Sequence, residues 1–96
     1  MLESTFKRRV KKRIASLIPG CFMHEMKAGT SGIPDTLILS DYKWALLEFK
    51  KSHDASHQPN QDYYVNYFNS MGFSAFIYPE NEDEVIDKLL LYFRGD

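Results

Sequence analysis

Apolar side chains recur at helical spacing from the start of the chain. Leu2, Phe6, Val10, Ile14 and Leu17 fall on one stripe, so residues 2–18 predict an amphipathic helix. Pro19-Gly20 ends it. Residues 21–27, CFMHEMK, read as a first strand, and residues 28–34, rich in glycine and hydroxyl side chains, as a loop. Asp35 to Leu39 and Trp44 to Phe49 form two further strands around a tight turn at Asp41-Tyr42. Both are apolar on both faces, which predicts central, well-covered positions. A polar loop over 51–60 leads to a second helix, with Gln61, Tyr64, Phe68 and Met71 on one face and Gly72 at its end. Phe73 to Tyr78 is a fourth strand. Asn81 followed by Glu84 predicts a capping pair for a last helix, whose buried stripe is Val85, Ile86, Leu89, Leu90 and Phe93.

The order is αβββαβ plus a C-terminal helix. The strand–helix–strand unit at 44–78 requires a parallel, right-handed crossover. The fold class is therefore α/β, a mixed central sheet flanked by helices, in a single domain spanning 1–96.

Charge adds an asymmetry. The net charge of −1 hides ten Lys/Arg against five Asp/Glu in residues 1–51, and two against eight in residues 52–96. Lys7, Arg8, Arg9, Lys11, Lys12 and Arg13 cluster in the first helix. With Lys51 they are candidates for DNA-backbone contacts, the alternative being a solvated helix face. The acidic stretch from Glu80 to Asp87 leaves open a small protein that binds and blocks another protein. Cys21 is the only cysteine, which excludes an internal disulfide or Cys-rich zinc site and fits a cytoplasmic location. No apolar run is long enough for a membrane span.

The candidate chemistry lies on the hairpin. With Asp41-Tyr42 as a two-residue turn, Ser40 faces Lys43 and Asp35 falls opposite Glu48. Opposed side chains share a face, with Cβ atoms about 4.5–5.5 Å apart. Lys50 is two residues beyond Glu48 and points the same way. Opposed carboxylates repel, and burial among apolar neighbours adds a desolvation cost. A divalent cation offsets both, and carboxylate oxygens are the hard ligands that Mg²⁺ prefers. A metal-bound water and a nearby lysine suit phosphodiester hydrolysis. The plainer alternative is that Lys50 simply pairs with Glu48 or Asp35.

Gly32-Ile33-Pro34-Asp35 followed by Glu48-Phe49-Lys50 resembles the signature of the PD-(D/E)xK nuclease superfamily. Within it, the chain looks most like the VRR-Nuc family of virus-type replication and repair nucleases. Glu3 in the first helix, Gln61 opening the helix after the third strand, and Gly72 eleven residues later also match. The loop between Lys50 and Gln61 departs from the pattern by lacking a glycine. The resemblance implies a restriction-endonuclease-like fold and a catalytic set of Glu3, Asp35, Glu48, Lys50 and Gln61. Asp35, Glu48, the Phe49 carbonyl and Glu3 would hold Mg²⁺ or Mn²⁺, and Lys50 would act on water. It also implies a homodimeric endonuclease acting on branched DNA, such as a four-way (Holliday) junction, of phage or bacterial type. The runner-up is a non-catalytic nucleic-acid-binding module. Glu3 can also be read as a helix-start carboxylate, and Gln61 as a surface cap. His53 and His57 are read as solvated or as phosphate contacts. The tyrosines at 63, 64, 67 and 92, with Phe93, exceed what one small core readily hides and suggest a dimer interface.

Overall fold

The computed structural model describes residues 2–27 and 31–95. Residues 28–30 of the expected loop lie outside them. The element order is α1 (Glu3–Leu17), β1 (Phe22–Glu25), β2 (Thr36–Ser40), β3 (Lys43–Phe49), α2 (Gln61–Met71), β4 (Phe73–Ile77), a short 3₁₀ turn (Pro79–Asn81) and α3 (Glu82–Arg94). The strands lie side by side in sequence order. The pairs β1–β2 and β2–β3 are antiparallel, and β3–β4 is parallel, as a crossover through α2 requires.

The hairpin register is the expected one. Ser40 pairs with Lys43 and Thr36 with Leu47. Asp41 and Tyr42 take left-handed conformations, φ 50° and 65°. Two successive left-handed residues give the turn whose twist matches a two-residue hairpin. Asp35 falls one residue before the ladder begins, next to Thr36 and on the side of Glu48.

One hydrophobic cluster holds α1 and α3 against the sheet. Phe6, Val10, Ile14 and Ile18 meet Ile38, Ala45, Leu47, Phe49 and Ile77, and Val85, Ile86, Leu89 and Phe93 complete the layer. The alternation of β3 then turns Leu46, Glu48 and Lys50 toward the other face, where α2 packs on β3 and β4.

Several local expectations change. Leu17 is exposed and Ile18 is buried in its place: four residues on from Ile14 the helix has turned to about 40° from it, whereas Leu17 lies about 60° away on the other side. In α2, Gln61 and Val65 are buried, Tyr64 and Phe68 half-buried, and Met71 exposed. The β2 strand is not covered on both faces: α2 lies over β3 and β4, which leaves Leu39 exposed beside Phe22 of β1. Asn81 does not cap α3 with its side chain. Instead its Oδ1 accepts from Tyr78 N (2.9 Å) and its Nδ2 donates to the Phe76 carbonyl (3.1 Å), closing the 3₁₀ turn. Gly72 ends α2 for a packing reason: a Cβ there would stand 2.8 Å from the Trp44 ring.

Candidate active site

The end of the hairpin and the start of α2 are brought together by close backbone packing. Gly32 has φ +94°, and a Cβ on it would lie 2.8 Å from the Asn60 carbonyl carbon. Only glycine meets both conditions, so the segment leading to Asp35 rests on the residue before Gln61. Pro34 between them is fully buried.

Four of the expected side chains gather there. Glu48, Lys50 and Gln61 are each 7% exposed, and Asp35 is half-buried. Glu48 lines two adjoining clefts. One, of about 290 Å³, also holds Gly32, Asp35 and Gln61; the other, of about 630 Å³, holds Glu3, Lys50, Lys51 and Gln61. Glu3 is exposed at the start of α1 but overlooks the same space, and its charge acts on Glu48.

Lys50 does not pair with a carboxylate among the described residues. Its Nζ donates to Gln61 Oε1 (2.8 Å) and to the Ser56 carbonyl (3.1 Å). Gln61 Oε1 also accepts from Gln58 N at 2.8 Å. Gln61 is therefore no frayed surface cap; it ties the lysine to the α2 start. An ammonium has three protons, and these bonds use two of them.

The carboxylates are electrostatically loaded. Burial pushes Glu48 up from its ordinary value of 4.5 to about 7, and the neighbouring Asp35 and Glu3 charges add to the rise; Lys50 and Lys7 only partly oppose it. Burial raises Asp35 as well, against the Lys7 charge and a hydrogen bond from Thr36 Oγ1 at 2.9 Å.

One flank of the site was not apparent from sequence. Glu25, at the end of β1, pairs with Thr36, and its carboxylate takes Lys7 (2.6 Å), Lys11 (3.0 Å) and the Thr36 hydroxyl (3.2 Å). Burial disfavours the charged form of Glu25, but the two lysines outweigh it and hold its carboxyl below the usual range. Lys7 Nζ also stands 3.5 Å from Asp35 Oδ2. The signal was the β1–β2 register, which the ten residues joining the strands hide.

The basic run of α1 does not act as one patch. Arg9 and Arg13 grip the buried Glu82 of α3 at 2.9 and 2.7 Å, and Arg13 also reaches Asp83. Lys7 and Lys11 are taken by Glu25. Arg8 and Lys12 are exposed and enter no ion pair among the described residues. His53 and His57 are occupied by Glu80 and Asp62, and His57 stacks on Phe76 at 4.2 Å between ring centroids. Phe93 is buried, so it leaves the set of surface aromatics; Tyr63 and Tyr67 remain, exposed and stacked at 5.9 Å.

No family model matches the sequence, and no curated protein matches it. Solved structures do. One, described as a VRR_NUC domain, superposes with a TM-score of 0.70 at 25% identity, covering 88% of this chain and 94% of the other. A second, a VRR_NUC domain protein, gives a TM-score of 0.67 at 19% identity over 100% of this chain and 92% of the other, a likeness of fold. The mixed sheet with its three helices is thus the VRR_NUC nuclease fold. Fold and motif order together support assigning the chain to the VRR-Nuc family, as a nuclease-type domain. Among the described residues, no helix is long and apolar enough to cross a membrane.

Proposed function

We propose that the chain is a divalent-metal-dependent endonuclease that hydrolyses DNA phosphodiesters. The observation that carries this reading is Glu48: a buried carboxylate beside Asp35, lifted to about 7, while Lys50, two residues on, is bonded to Gln61 instead. Glu48 is paired with no lysine among the described residues, and Asp35 has only the longer 3.5 Å contact to Lys7, so the two carboxylates leave a cation something to neutralise. The donor set fits Mg²⁺ or Mn²⁺: the Asp35 and Glu48 carboxylates and the Phe49 carbonyl are hard oxygens. No group of three or more His, Cys, Asp or Glu side chains among the described residues stands ready to hold a metal. The remaining positions would go to water, to substrate phosphate or to the exposed Glu3, the partial protein coordination usual for Mg²⁺. When bound, such a cation supplies charge neutralisation at the phosphate and an acidified water.

The chain's own residues supply the rest. Lys50 lines the cleft and has one N–H left over from its bonds to Gln61 and Ser56, with which it would orient the attacking water or stabilise charge on the phosphate. Gln61 and the Ser56 carbonyl fix that ammonium, so the donor is organised before substrate arrives. Arg8, Lys12 and Lys51 are exposed and available to the DNA backbone. These contacts read shape and charge, which suits recognition of DNA structure over sequence.

The proposed substrate is branched DNA, with four-way junctions foremost, and the proposed active form is a homodimer. Support for the dimer is the exposed Tyr63–Tyr67 pair on α2 together with the uncovered Phe22 and Leu39 of the sheet. A two-fold pair of sites would match a junction that needs two cuts. The lone thiol, Cys21, fits a cytoplasmic setting, that of the host if the protein is phage-encoded. The test is incubation with linear, flap and four-way-junction DNA, with Mg²⁺ and with EDTA, alongside light scattering at micromolar protein. Junction cleavage that needs Mg²⁺ is expected. Undiminished cleavage in EDTA overturns the metal reading, and binding without any cleavage leaves a nucleic-acid-binding module. A strict monomer that spares junctions overturns the branched-DNA dimer alone.

A further inference from the structure

Lys7 differs from the other cations of α1 because it reaches the candidate metal ligands. Its Nζ lies 2.6 Å from Glu25 Oε2, 3.5 Å from Asp35 Oδ2 and 5.5 Å from the centroid of the Phe49 ring. Its side chain is only 22% exposed, and it is shared between a half-exposed carboxylate at the sheet edge and the more enclosed Asp35. Thr36, fully buried, joins the two carboxylates from below, its hydroxyl lying 3.2 Å from Glu25 and 2.9 Å from Asp35. The four side chains form a closed ring contributed by α1, β1 and the start of β2.

We propose that Lys7 is a built-in counter-ion that competes with a divalent cation for Asp35, and that Glu25 is the positioning residue that draws the ammonium aside when the cation binds. The inference rests on the reading of Asp35 and Glu48 as divalent-cation ligands. Its physical basis is reciprocity. Whatever Lys7 gains from Asp35 is lost to a cation that takes the same carboxylate, and the cation's presence repels Lys7 by the same amount. Glu25 limits that loss, because the ammonium already has its shorter contact there and need not return to water. Lys11, held 3.0 Å from the other Glu25 oxygen, anchors the carboxylate toward α1. The Phe49 ring, its centroid 5.5 Å from the ammonium, offers a cation–π contact that favours positions close to the two acceptors.

Charge alone predicts that removing Lys7 tightens cation binding and removing Glu25 weakens it. The proposal adds that Glu25 acts through Lys7, and a double-mutant cycle separates the two. Mn²⁺ is titrated calorimetrically into the DNA-free full chain at fixed pH and ionic strength, for wild type, Lys7→Met, Glu25→Gln and the double variant. Folding of each is checked by circular dichroism, and Lys7→Gln replaces Lys7→Met if the latter does not fold. We expect Lys7→Met to bind Mn²⁺ about tenfold tighter. Glu25→Gln should bind several-fold weaker in the wild-type background, and the same change should alter affinity by less than about twofold once Lys7 is gone. Unchanged affinity in Lys7→Met overturns the counter-ion role with the metal reading intact. An equal Glu25→Gln effect in both backgrounds overturns the positioning role of Glu25. Failure of wild type and Lys7→Met alike to bind Mn²⁺ overturns the metal reading and this inference with it.

Discussion

Replacing Glu48 by glutamine in metal-free protein removes a charge that the fold holds at a cost. The sign follows from the direction of the shift. In the folded chain the carboxyl titrates near 7, against 4.5 when unperturbed. The folded state therefore binds more protons than the unfolded state between those values, and stability falls as pH rises through that window. Below about 4.5 both states are protonated and no penalty exists; above about 7 it is fully present. A shift of this size corresponds to about 3 kcal/mol. Burial raises Asp35 too, and its charge acts on Glu48, so the measured share of Glu48 alone is expected nearer about 1–3 kcal/mol. Glu48→Gln keeps the shape and abolishes the ionisation. Urea unfolding of EDTA-treated wild type and variant at pH 5 and pH 8 should show the variant gaining about 1–3 kcal/mol on the wild type between the two. For a domain this small that corresponds to at least about 4 °C in melting temperature. Saturating Mg²⁺ should stabilise the wild type and leave the variant nearly unmoved, because only the carboxylate offers the cation a full charge. A stability difference that does not change with pH, or a variant that loses ground at pH 8, would refute the account of Glu48 as an uncompensated buried acid. Asp35 is the poorer target for this test, since Lys7 and the Thr36 hydroxyl already offset part of its burial.

Lys50→Ala should abolish cleavage while junction binding persists. Gln61→Ala, which frees the ammonium from one of its two anchors, should lower turnover by about 100-fold with little change in KM; a Gln61→Ala enzyme of near wild-type turnover would remove the positioning role. Arg8 and Lys12, changed together to glutamine, should weaken binding to all DNA sequences and flatten the salt slope by about 2 without touching stability, as salt-titrated binding and urea unfolding would reveal. Arg9 and Arg13, changed together to alanine, should instead destabilise the protein by about 3 kcal/mol, because Glu82 is left buried without its partners; an unfolding midpoint equal to wild type would show that this cluster contributes nothing to the fold.

What the sequence made legible was whatever follows from local geometry. The Ser40–Lys43 register needed only the length of a turn, and from it came the common face of Asp35, Glu48 and Lys50. The crossover through α2 needed only two strands separated by a helix. Illegible were contacts between elements whose docking the pattern does not fix. Glu25 meets Thr36 through a register set after a long connection, and Arg9 meets Glu82 across 73 residues. Asn81 does stand at the N-cap position of α3, but a side chain that suits a helix cap equally suits a 3₁₀ turn, and here it serves the turn.

The basic run of α1 lies between these limits, and its division could have been drawn from helical geometry. Residues four apart share a stripe, so the six cations form three pairs: 7 with 11, 8 with 12, 9 with 13. The buried stripe of Phe6, Val10 and Ile14 fixes the orientation of all three. One residue on from that stripe is a turn of about 100°, which sets Lys7 and Lys11 at one border of the core; three residues on returns to the opposite border, where Arg9 and Arg13 stand. Arg8 and Lys12, two residues on, point most nearly away from the core. A border position is where a long cationic side chain can lay its stem on apolar surface and carry its charge to a neighbouring element. Both border pairs do so, one toward Glu25 and Asp35 and the other toward Glu82. Charge counted along the chain thus overstates what α1 offers a polyanion. The outward stripe is the part left for DNA, one border pair braces α3, and the other sends Lys7 into the candidate site.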